Sequence, residues 1–438
     1  MTINMVYFLY IAPNSQLGAS PDSLFRRRTD FYYFRKKPFF EWQGINLSFE
    51  IMQNSQKMAE SVWRVQLHKI NYDEREYRAV GEVLDSGWLT MSRKTLDFES
   101  AFSALLSHDA QCLAVSNCTA ALHMALLALG VKSGDEIITP SLTFIADQNV
   151  TRMVGAENVL ADISSMEDWS MDPDDIEKRV TPKTRAVMIV HYAGYACDME
   201  RITDVCKRHK LFLIEDCAHT PGADYKGQPL GTFGDIAAFS FFANKNIAVG
   251  EGGMVVTRNV DLYAKLKELR SHGMSVLSFD RYKGRAVSYD VESPGLNYRI
   301  HEISSALGLV QLQKLDDSNR KRKNIVEHYY KRLDGLSSIS IPFKNFSRGK
   351  PNFHIMPVLL SDKIDRTSVI ESMKQDGVQT SIHYPAIQNF SAYKDRINST
   401  PKAEYICAHE LTLPLYPDMT SNEVDIVCDA LIKGINQK

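Results

Sequence analysis

The chain has 438 residues, of which 44% are hydrophobic and 24% are charged, a balance typical of a globular protein long enough for two domains. Its formal net charge of -2 gives no electrostatic reason to expect nucleic acid, whose binding requires a basic face. The seven cysteines are scattered without CxxC spacing, so the sequence predicts neither a disulfide framework nor a metal site. Reduced cytoplasm is the compartment that this cysteine usage favours.

The first 63 residues differ from the rest of the chain. MVYFLYIA is too short to span a bilayer, and it lacks the positive region and cleavage site of an export signal. RRRTDFYYFRKKPFFEW mixes basic and aromatic residues, which would suit an anionic membrane surface, but an extension without a catalytic role is the simpler interpretation. Met52 and Met58 stand just before the regular pattern, so residues 1–63 are predicted to be poorly ordered or to precede the native start.

An alternation of helix and strand patterns begins near residue 66. DEREYRAVGEVLDSG predicts an amphipathic helix with Tyr77, Val80 and Leu84 at helical spacing on its apolar face. CLAVS, EIITP, NVLADI, RAVMIVHY and LFLIED follow as strands, separated by helical segments. Repeated units of this kind form a parallel sheet with helices on both faces. The sequence therefore predicts an α/β fold, with a large domain over residues 64–312.

The C-terminal third has a different pattern. EISSALGLVQLQKLDDSNRKRKNIVEHYYKRL predicts one long helix with Ile303, Leu307 and Val310 on one face. FHIMPVLL, VQTSIHYP and a terminal amphipathic stretch are then typical of a small α+β unit. We therefore expect a smaller second domain over residues 313–438.

Lys245 and Asp216 together indicate a cofactor. Lys245 lies in FSFFANKNIAVGEGG, between two short apolar strands, and Asp216 closes the apolar run LFLIED. Pyridoxal phosphate (PLP) needs an amine for its Schiff base and an acid that keeps its pyridine nitrogen protonated. Each residue alone has an ordinary interpretation, as a surface lysine or as a strand-terminating acid. Their combination, followed by the glycine-rich turn GEGG, predicts a PLP enzyme.

Other residues at the ends of predicted strands are candidate ligands of the cofactor, because parallel sheets bind ligands beyond the carboxyl ends of their strands. Thr119 and Ala120 open the helix after CLAVS, where free N–H groups would suit a phosphate, although the local pattern alone favours a plain N-cap. Phe144 follows EIITP, and its ring either stacks on the pyridine or packs in the core. His219 either hydrogen-bonds the cofactor ring or is satisfied by backbone.

The ordered motifs NCTAALHMALLALG, GDEIITPSLTF, IEDCAH, FSFFANKN, GEGGMVVT and LNYRIHEISSALGLVQL resemble the DegT/StrS-type sugar aminotransferases, which are PLP enzymes of the aspartate aminotransferase (type I) fold. The resemblance runs from about residue 64 to the end. It implies that Lys245 forms the Schiff base, that Asp216 holds the pyridine nitrogen and that Phe144 stacks on the ring. The other cofactor contacts that it implies are His219 at the ring hydroxyl and, at the phosphate, Thr119, Ala120 and Ser240.

The resemblance also implies a reaction and a partner. An amino donor, glutamate in most of the family, would supply the amino group for a keto group on a nucleotide-linked deoxysugar, giving an amino sugar for polysaccharide or amino-sugar biosynthesis. Asn297 of LNYRI resembles an asparagine that reaches the phosphate from the neighbouring subunit. The implied enzyme is a homodimer with shared active sites.

Two further stretches resemble substrate-binding parts of the family. The loop SGWLTMSRK places Trp88 and Thr90 near the sugar, although Ser92 replaces the more usual Gly. SIHYP, with His383 and Tyr384, resembles a stretch that approaches the site from the small domain.

Two alternatives stay open at this point. A dehydratase branch of the same fold carries His in place of the Schiff-base lysine, so Lys245 argues against it. A PLP-binding regulatory or scaffold protein without turnover would keep the cofactor pocket but would not need a working sugar loop. Glutamate would change the colour of the bound cofactor in an aminotransferase, which distinguishes these proteins.

Overall fold

The computed structural model of this chain describes residues 63–107, 109–274, 290–394 and 397–437. The predicted extension over residues 1–63 therefore lies outside the described residues, apart from Trp63. Residues 60–438 group as one unit by their internal contacts. Within the described part of this unit, no helix combines the length and the apolar character that crossing a bilayer requires.

The predicted strands form the central sheet. In chain order the strands are β1 Gln111–Val115, β2 Glu136–Pro140, β3 Glu157–Ala161, β4 Thr184–Val190, β5 Phe212–Asp216, β6 Asp224–Tyr225, β7 Gln228–Pro229, β8 Ile236–Ser240 and β9 Gly253–Thr257. The described residues give a seven-stranded sheet in the order β1-β9-β8-β5-β4-β2-β3. β9 runs antiparallel to both of its neighbours, and the other neighbouring pairs are parallel. The predicted α/β class is confirmed.

Helices cover both faces of this sheet. In chain order the helices are α1 Glu74–Ser86, α2 Arg93–Leu106, α3 Cys118–Ala128, α4 Ala146–Met153, α5 Pro173–Lys178, α6 Met199–His209, α7 Val260–Arg270, α8 Glu302–Arg332, α9 Arg366–Gln375, α10 Pro401–His409 and α11 Ser421–Asn436. Alternate residues of one strand enter opposite cores: Ala114 packs with α2 residues such as Phe98, and Leu113 packs with α3 residues such as Leu122. This two-sided burial explains why the strands are continuous apolar runs.

The first helix turns a different face inward from the one predicted. Tyr77 and Leu84 are each 57% exposed, whereas Glu76 and Val83 are buried. Lys314 of α8 explains the rotation, because its Nζ donates to the Glu76 carboxylate at 2.8 Å. A buried carboxylate must be paired, and this pair lies between α1 and α8. The apolar periodicity gave no sign of that constraint.

The long helix α8 runs without interruption through the predicted domain boundary at residues 312–313. Of its predicted apolar face, Val310 is buried, and Ile303 and Leu307 are half-buried. Leu315 belongs to the core on one face of the main sheet, and Tyr329 belongs to a separate core. One rigid element therefore connects both cores, and the domain boundary stays a prediction.

The second core surrounds a small antiparallel sheet. Its strands are β10 Ile339–Ser340, β11 Met356–Leu360 and β12 Glu410–Leu413, in the order β10-β11-β12. Val65, near the start of the described chain, also packs in this core and forms a parallel bridge with Val378. The beginning and the end of the described chain therefore stabilise the same small unit.

Candidate functional site

A cavity of about 680 Å³ opens where the predicted ligand edge of the main sheet meets the C-terminal unit. Most of the predicted site residues line it: Thr119, Ala120, Phe144, Asp216, His219, Ser240, Lys245, His383 and Tyr384. Trp88, Thr90 and Asn297 are not among its lining residues within the described chain. Thr90 instead bridges His301 of the loop before α8, and Asn297 bridges Ser271.

The N-terminus of α3 forms one wall of the cavity. Asn117 caps this helix, and its Oδ1 accepts a hydrogen bond from the Ala120 N–H at 2.8 Å. The prediction of a free Ala120 N–H is therefore wrong, because the cap satisfies that donor. The first turn of a helix leaves further N–H groups without intrahelical partners, here those of Cys118 and Thr119. These two amides, at the positive end of the helix dipole, are available to an anion.

Gly253 brings β9 unusually close to this helix terminus. A Cβ atom at position 253 would lie 2.6 Å from the Asn117 carbonyl carbon and 2.8 Å from the Cys118 nitrogen. In the sheet, Gly253 pairs with Val115 at the end of β1 and with Ser240 at the end of β8. The last glycine of GEGG thus allows three strand ends and the helix N-terminus to meet, and Ser240 lines the same cavity as the first residues of α3.

Asp216 lies at the bottom of the cavity with a second acid that the sequence analysis missed. Asp147 in α4 is fully buried, and its carboxyl group is close enough to hydrogen-bond to that of Asp216. Burial raises the pKa of Asp147 well above its ordinary value, and the charge of Asp216 raises it further. Burial also raises the pKa of Asp216, against the lowering effect of the Ala218 N–H and of Lys245. We assign the shared proton to Asp147, which leaves Asp216 as the anion.

Lys245 projects into the same cavity and contacts a second missed residue. Its Nζ lies 3.4 Å from His354 Nε2, and His354 Nδ1 lies 3.0 Å from Asn246 Oδ1. Because an amide oxygen can only accept, Nδ1 carries the His354 proton and Nε2 accepts from the lysine. Burial lowers the pKa of Lys245 to about 8, although the charge of Asp216 opposes the shift. The lysine can therefore gain or lose a proton near neutral pH.

His219 is engaged within the chain at both ring nitrogens. Its Nδ1 accepts from the Ala193 N–H at 3.2 Å, so the proton lies on Nε2, which is 3.1 Å from the Tyr384 hydroxyl. Burial, together with the charge of Lys245, lowers the pKa of His219 well below its usual value, which keeps the ring neutral. A contact from His219 to a cofactor hydroxyl would have to replace its bond to Tyr384.

Aromatic side chains form the mouth of the cavity. The Phe144 ring is 56% exposed and lies 5.8 Å from the Tyr384 ring, at an angle of 56°. Phe242 and Met153 are also exposed along this rim. Phe144 is therefore not a core residue, and its predicted role as a stacking surface stays open to test.

A buried polar cluster lies behind Asp216. His191, Glu215 and Cys217 offer ligand atoms within 4.8 Å of one another. The Cys197 N–H donates to His191 Nδ1, so Nε2 carries the proton and donates to Glu215 at 3.2 Å. Glu215 also accepts from backbone N–H groups of the loop before β8, those of Gly231, Phe233 and Gly234. These bonds explain the cluster as a support for the strand end that presents Asp216.

Comparison with known proteins identifies the family. The sequence model of the DegT/DnrJ/EryC1/StrS aminotransferase family matches residues 71–432. The chain belongs to this family. Its members are sugar aminotransferases that depend on PLP, and the solved structures similar to this chain include PLP forms. The resemblance stated from the motifs is confirmed.

The chain matches individual relatives over nearly their whole length. The chain is 37% identical over 375 residues to the spore coat polysaccharide biosynthesis protein SpsC of Bacillus subtilis, covering 82% of this chain and 95% of SpsC. Helicobacter pylori PseC, an aminotransferase of pseudoaminic acid biosynthesis, matches with a TM-score of 0.79 at 29% identity over 85% of this chain and 99% of PseC. DesI, solved in the presence of its TDP-sugar product, matches with a TM-score of 0.74 at 28% identity over 83% and 90%.

The residues around the cavity fit the cofactor of this family. Lys245 supplies an amine, Asp216 a buried carboxylate, and the α3 terminus with Ser240 supplies donors for a phosphate. The close approach that Gly253 permits keeps these donors together. His354 and Asp147 extend the set, but each had only a weak sequence signal: a lone histidine before an apolar run, and an acid three residues after Phe144.

Proposed function

We propose that this sugar aminotransferase transfers the amino group of glutamate to the keto group of a nucleotide-linked deoxysugar. One observation carries the proposal: the amine of Lys245 and the carboxylate of Asp216 face one cavity that the α3 N-terminus also lines. DesI, which was solved with a TDP-sugar product, supports the substrate class. An amino sugar for surface polysaccharide would also agree with the role that the name of SpsC gives.

Each side chain of the site has a separate role in this reaction. PLP, when bound, withdraws electrons from the substrate carbon that loses or gains a proton. Lys245, with its pKa near 8, takes up that proton and returns it in the reverse half of the reaction. Asp216 stays anionic and holds the pyridine nitrogen protonated, because Asp147 carries the shared proton. His354 accepts from the lysine amine and orients it.

We further propose that the enzyme is a homodimer in which Asn297 completes the site of the neighbouring subunit. Asn297 lies outside the cavity of its own chain, as do Trp88 and Thr90. Apolar side chains near the start of the described chain are exposed, as a buried subunit interface would require: Tyr77, Leu84, Leu89 and Leu96.

All seven cysteines are free thiols, which supports a site of action in the cytoplasm.

The substrate is tested with the PLP-loaded enzyme. Glutamate alone should change the colour of the cofactor, and a panel of nucleotide-linked keto sugars should then restore the original spectrum, with amino sugar products detected by mass spectrometry. A colour change without any sugar product would contradict the nucleotide-sugar substrate. Absence of any response to glutamate and to other amino donors would favour a regulatory PLP-binding protein.

Mixed subunits test the shared site. Lys245→Ala and Asn297→Asp each inactivate a dimer, the second because a carboxylate repels the phosphate. Subunits mixed at random should recover about a quarter of the wild-type activity, since half of the dimers are mixed and each of these has one intact site. No recovery after confirmed subunit exchange would show that Asn297 serves its own chain or no site.

A further inference from the structure

Beneath the cavity lies a hydrogen-bonded chain of three side chains that the proposed reaction does not use. Glu410 of β12 is fully buried. One of its carboxyl oxygens accepts from the His383 backbone N–H at 2.8 Å, and the other bonds the Thr412 hydroxyl. The Thr412 oxygen lies 2.8 Å from His383 Nδ1. The chain therefore runs from a buried acid, through one hydroxyl, to a ring that lines the cavity.

His383 lines the cavity, and because its Nδ1 is bonded to Thr412, Nε2 is the ring nitrogen left for a ligand. Among the described residues, Nε2 of this ring has no hydrogen-bond partner, whereas Nδ1 has Thr412. Burial lowers the pKa of His383 to about 3, and the charge of Lys245 contributes to the shift, so the ring is neutral and has one N–H. A neutral imidazole donates from one nitrogen and accepts at the other. Whether Nδ1 donates to its partner or accepts from it therefore decides whether Nε2 is an acceptor or a donor.

The single proton of the Thr412 hydroxyl transmits the state of Glu410. An ionised Glu410 can only accept, so the hydroxyl donates to it, and the Thr412 oxygen must accept from an Nδ1–H; Nε2 then offers a lone pair. A protonated Glu410 donates to the Thr412 oxygen, the hydroxyl donates to Nδ1, and the proton of the ring moves to Nε2. In each state, the Glu410 carboxyl group, the Thr412 hydroxyl and His383 Nδ1 all have hydrogen-bond partners.

We propose that the protonation state of Glu410, relayed by Thr412, selects the tautomer of His383 and so decides whether the cavity offers the substrate a hydrogen-bond acceptor or a donor. Glu410 and Thr412 are positioning residues in this proposal. The contact of His383 with a sugar hydroxyl or keto oxygen rests on the proposed function, whereas the tautomer itself does not.

Burial raises the pKa of Glu410 to about 8, so both states occur near neutral pH. Other ionisable groups also face this network. Those that act on Glu410 are Arg366, Tyr192, Tyr384 and Cys407, and those that face His383 are Lys245, His219 and His354. Variants of Glu410 and Thr412 are therefore needed to separate the relay from titration of these neighbours.

The test is the nitrogen NMR spectrum of histidine-labelled, PLP-loaded enzyme, in which protonated and bare ring nitrogens have separate shifts. We expect the His383 proton to lie on Nε2 well below pH 8 and on Nδ1 well above it, with a midpoint near the Glu410 pKa of about 8. The His383→Gln spectrum assigns the signals. A His383 tautomer that stays the same across this range would overturn the proposal before any variant of Glu410 or Thr412 is made.

Three variants isolate the relay. Glu410→Gln can accept from the His383 N–H only through its oxygen, so its amide nitrogen donates to Thr412 and should lock the proton on Nε2 at every pH. Thr412→Val should remove the dependence on pH, and Thr412→Ser, which keeps the hydroxyl, should restore it. If Glu410→Gln retains the wild-type pH dependence, a neighbour such as Lys245 controls the ring and the proposal is wrong. These spectra need no sugar, so they test the tautomer of His383 even if no sugar of the panel is a substrate.

The same variants have a kinetic consequence for a sugar that the panel identifies. The KM of the wild-type enzyme for that sugar should change with an inflection near pH 8, and Glu410→Gln should lose this inflection. An unchanged inflection in KM would show that His383 Nε2 does not contact the sugar.

Discussion

Two buried glutamates, Glu215 behind the edge of the main sheet and Glu410 in the small sheet, have pKa values that shift in opposite directions. Burial by itself raises the pKa of Glu215, but the hydrogen bonds from His191 and from backbone N–H groups outweigh burial and lower it. Glu410 is equally buried, but its donors are the Thr412 hydroxyl and the His383 N–H, and burial raises its pKa to about 8. The number of donors around a carboxylate, rather than its depth, decides its charge.

The two regions therefore have different roles. The main sheet lowers the pKa of Glu215, so this carboxylate is ionised at neutral pH and supports the strand end that carries Asp216. The small sheet holds Glu410 between its two protonation states, next to the His383 ring. The first region supplies fixed charge for the chemistry, and the second can change the hydrogen bonding that a substrate meets.

The largest effect should come from the catalytic amine of the main-sheet edge. Lys245→Ala should reduce turnover by far more than the ~100-fold that losing a modest acid–base contribution costs, because it removes both the covalent attachment and the proton carrier. Lys132→Ala, which changes an exposed lysine, should retain full activity. Turnover is measured with glutamate as donor. A Lys245→Ala enzyme within tenfold of wild type would place the chemistry elsewhere.

The fixed charge of Glu215 is the next test. Glu215→Gln leaves two of its donors opposite an amide NH2 group in either orientation, and each loses a charge-assisted bond of about 1.5–3 kcal/mol. We expect the free energy of unfolding at neutral pH to fall by about 3 kcal/mol or more. Because the folded pKa of Glu215 is lowered, the wild-type advantage should shrink as the pH falls below 4 to 5. Urea unfolding at several pH values measures the loss of stability and its dependence on pH. If Glu215→Gln leaves the free energy of unfolding unchanged, the contrast with Glu410 disappears.

The tight packing of the main-sheet edge gives a smaller effect. Gly253→Ala places a Cβ 2.6 Å from the Asn117 backbone, so we expect a loss of roughly 1–3 kcal/mol and weaker PLP binding as the α3 terminus shifts. Gly81→Ala is the matched control within one subunit, since Gly81 lies inside α1 with nothing within 4 Å of an added Cβ. Its face of α1 also carries Tyr77 and Leu84 of the proposed dimer interface, so the comparison uses PLP binding, which the control should keep unchanged. Equal PLP affinities of both variants would contradict the role of Gly253.

The smallest effect concerns Glu410 and has the opposite sign to that of Glu215. A raised folded pKa means that the folded state of the wild type loses stability as the pH rises from about 4.5 towards 8, because the unfolded chain ionises first. Glu410→Gln does not ionise, so its stability relative to wild type should increase by about 1 kcal/mol between about pH 7 and about pH 8. Thermal unfolding at both pH values checks this. A relative stability that stays constant over this interval would mean that Glu410 is already ionised at neutral pH.

The sequence by itself determined the main sheet and its ligand edge. Buried parallel strands are short apolar runs, and the carboxyl ends of such strands meet at one edge, so Asp216, Phe144 and the start of α3 could be placed together before any coordinates. Lys245 joined them because its segment connects two of these strands. These are consequences of local pattern plus one rule of topology.

Only the tertiary structure decided the polar partners. Glu76 turned α1 away from its apolar periodicity because it pairs with Lys314, which lies far along the chain. The sequence allowed either an N-cap or a free amide at Ala120, and the structure shows the cap. Likewise, His354 and Glu410 reach the site through hydrogen bonds to residues distant in sequence. Hydrophobic burial repeats with the period of a helix or strand and is therefore visible in the sequence, whereas a buried polar group must be matched atom by atom, and that match exists only after the chain has folded.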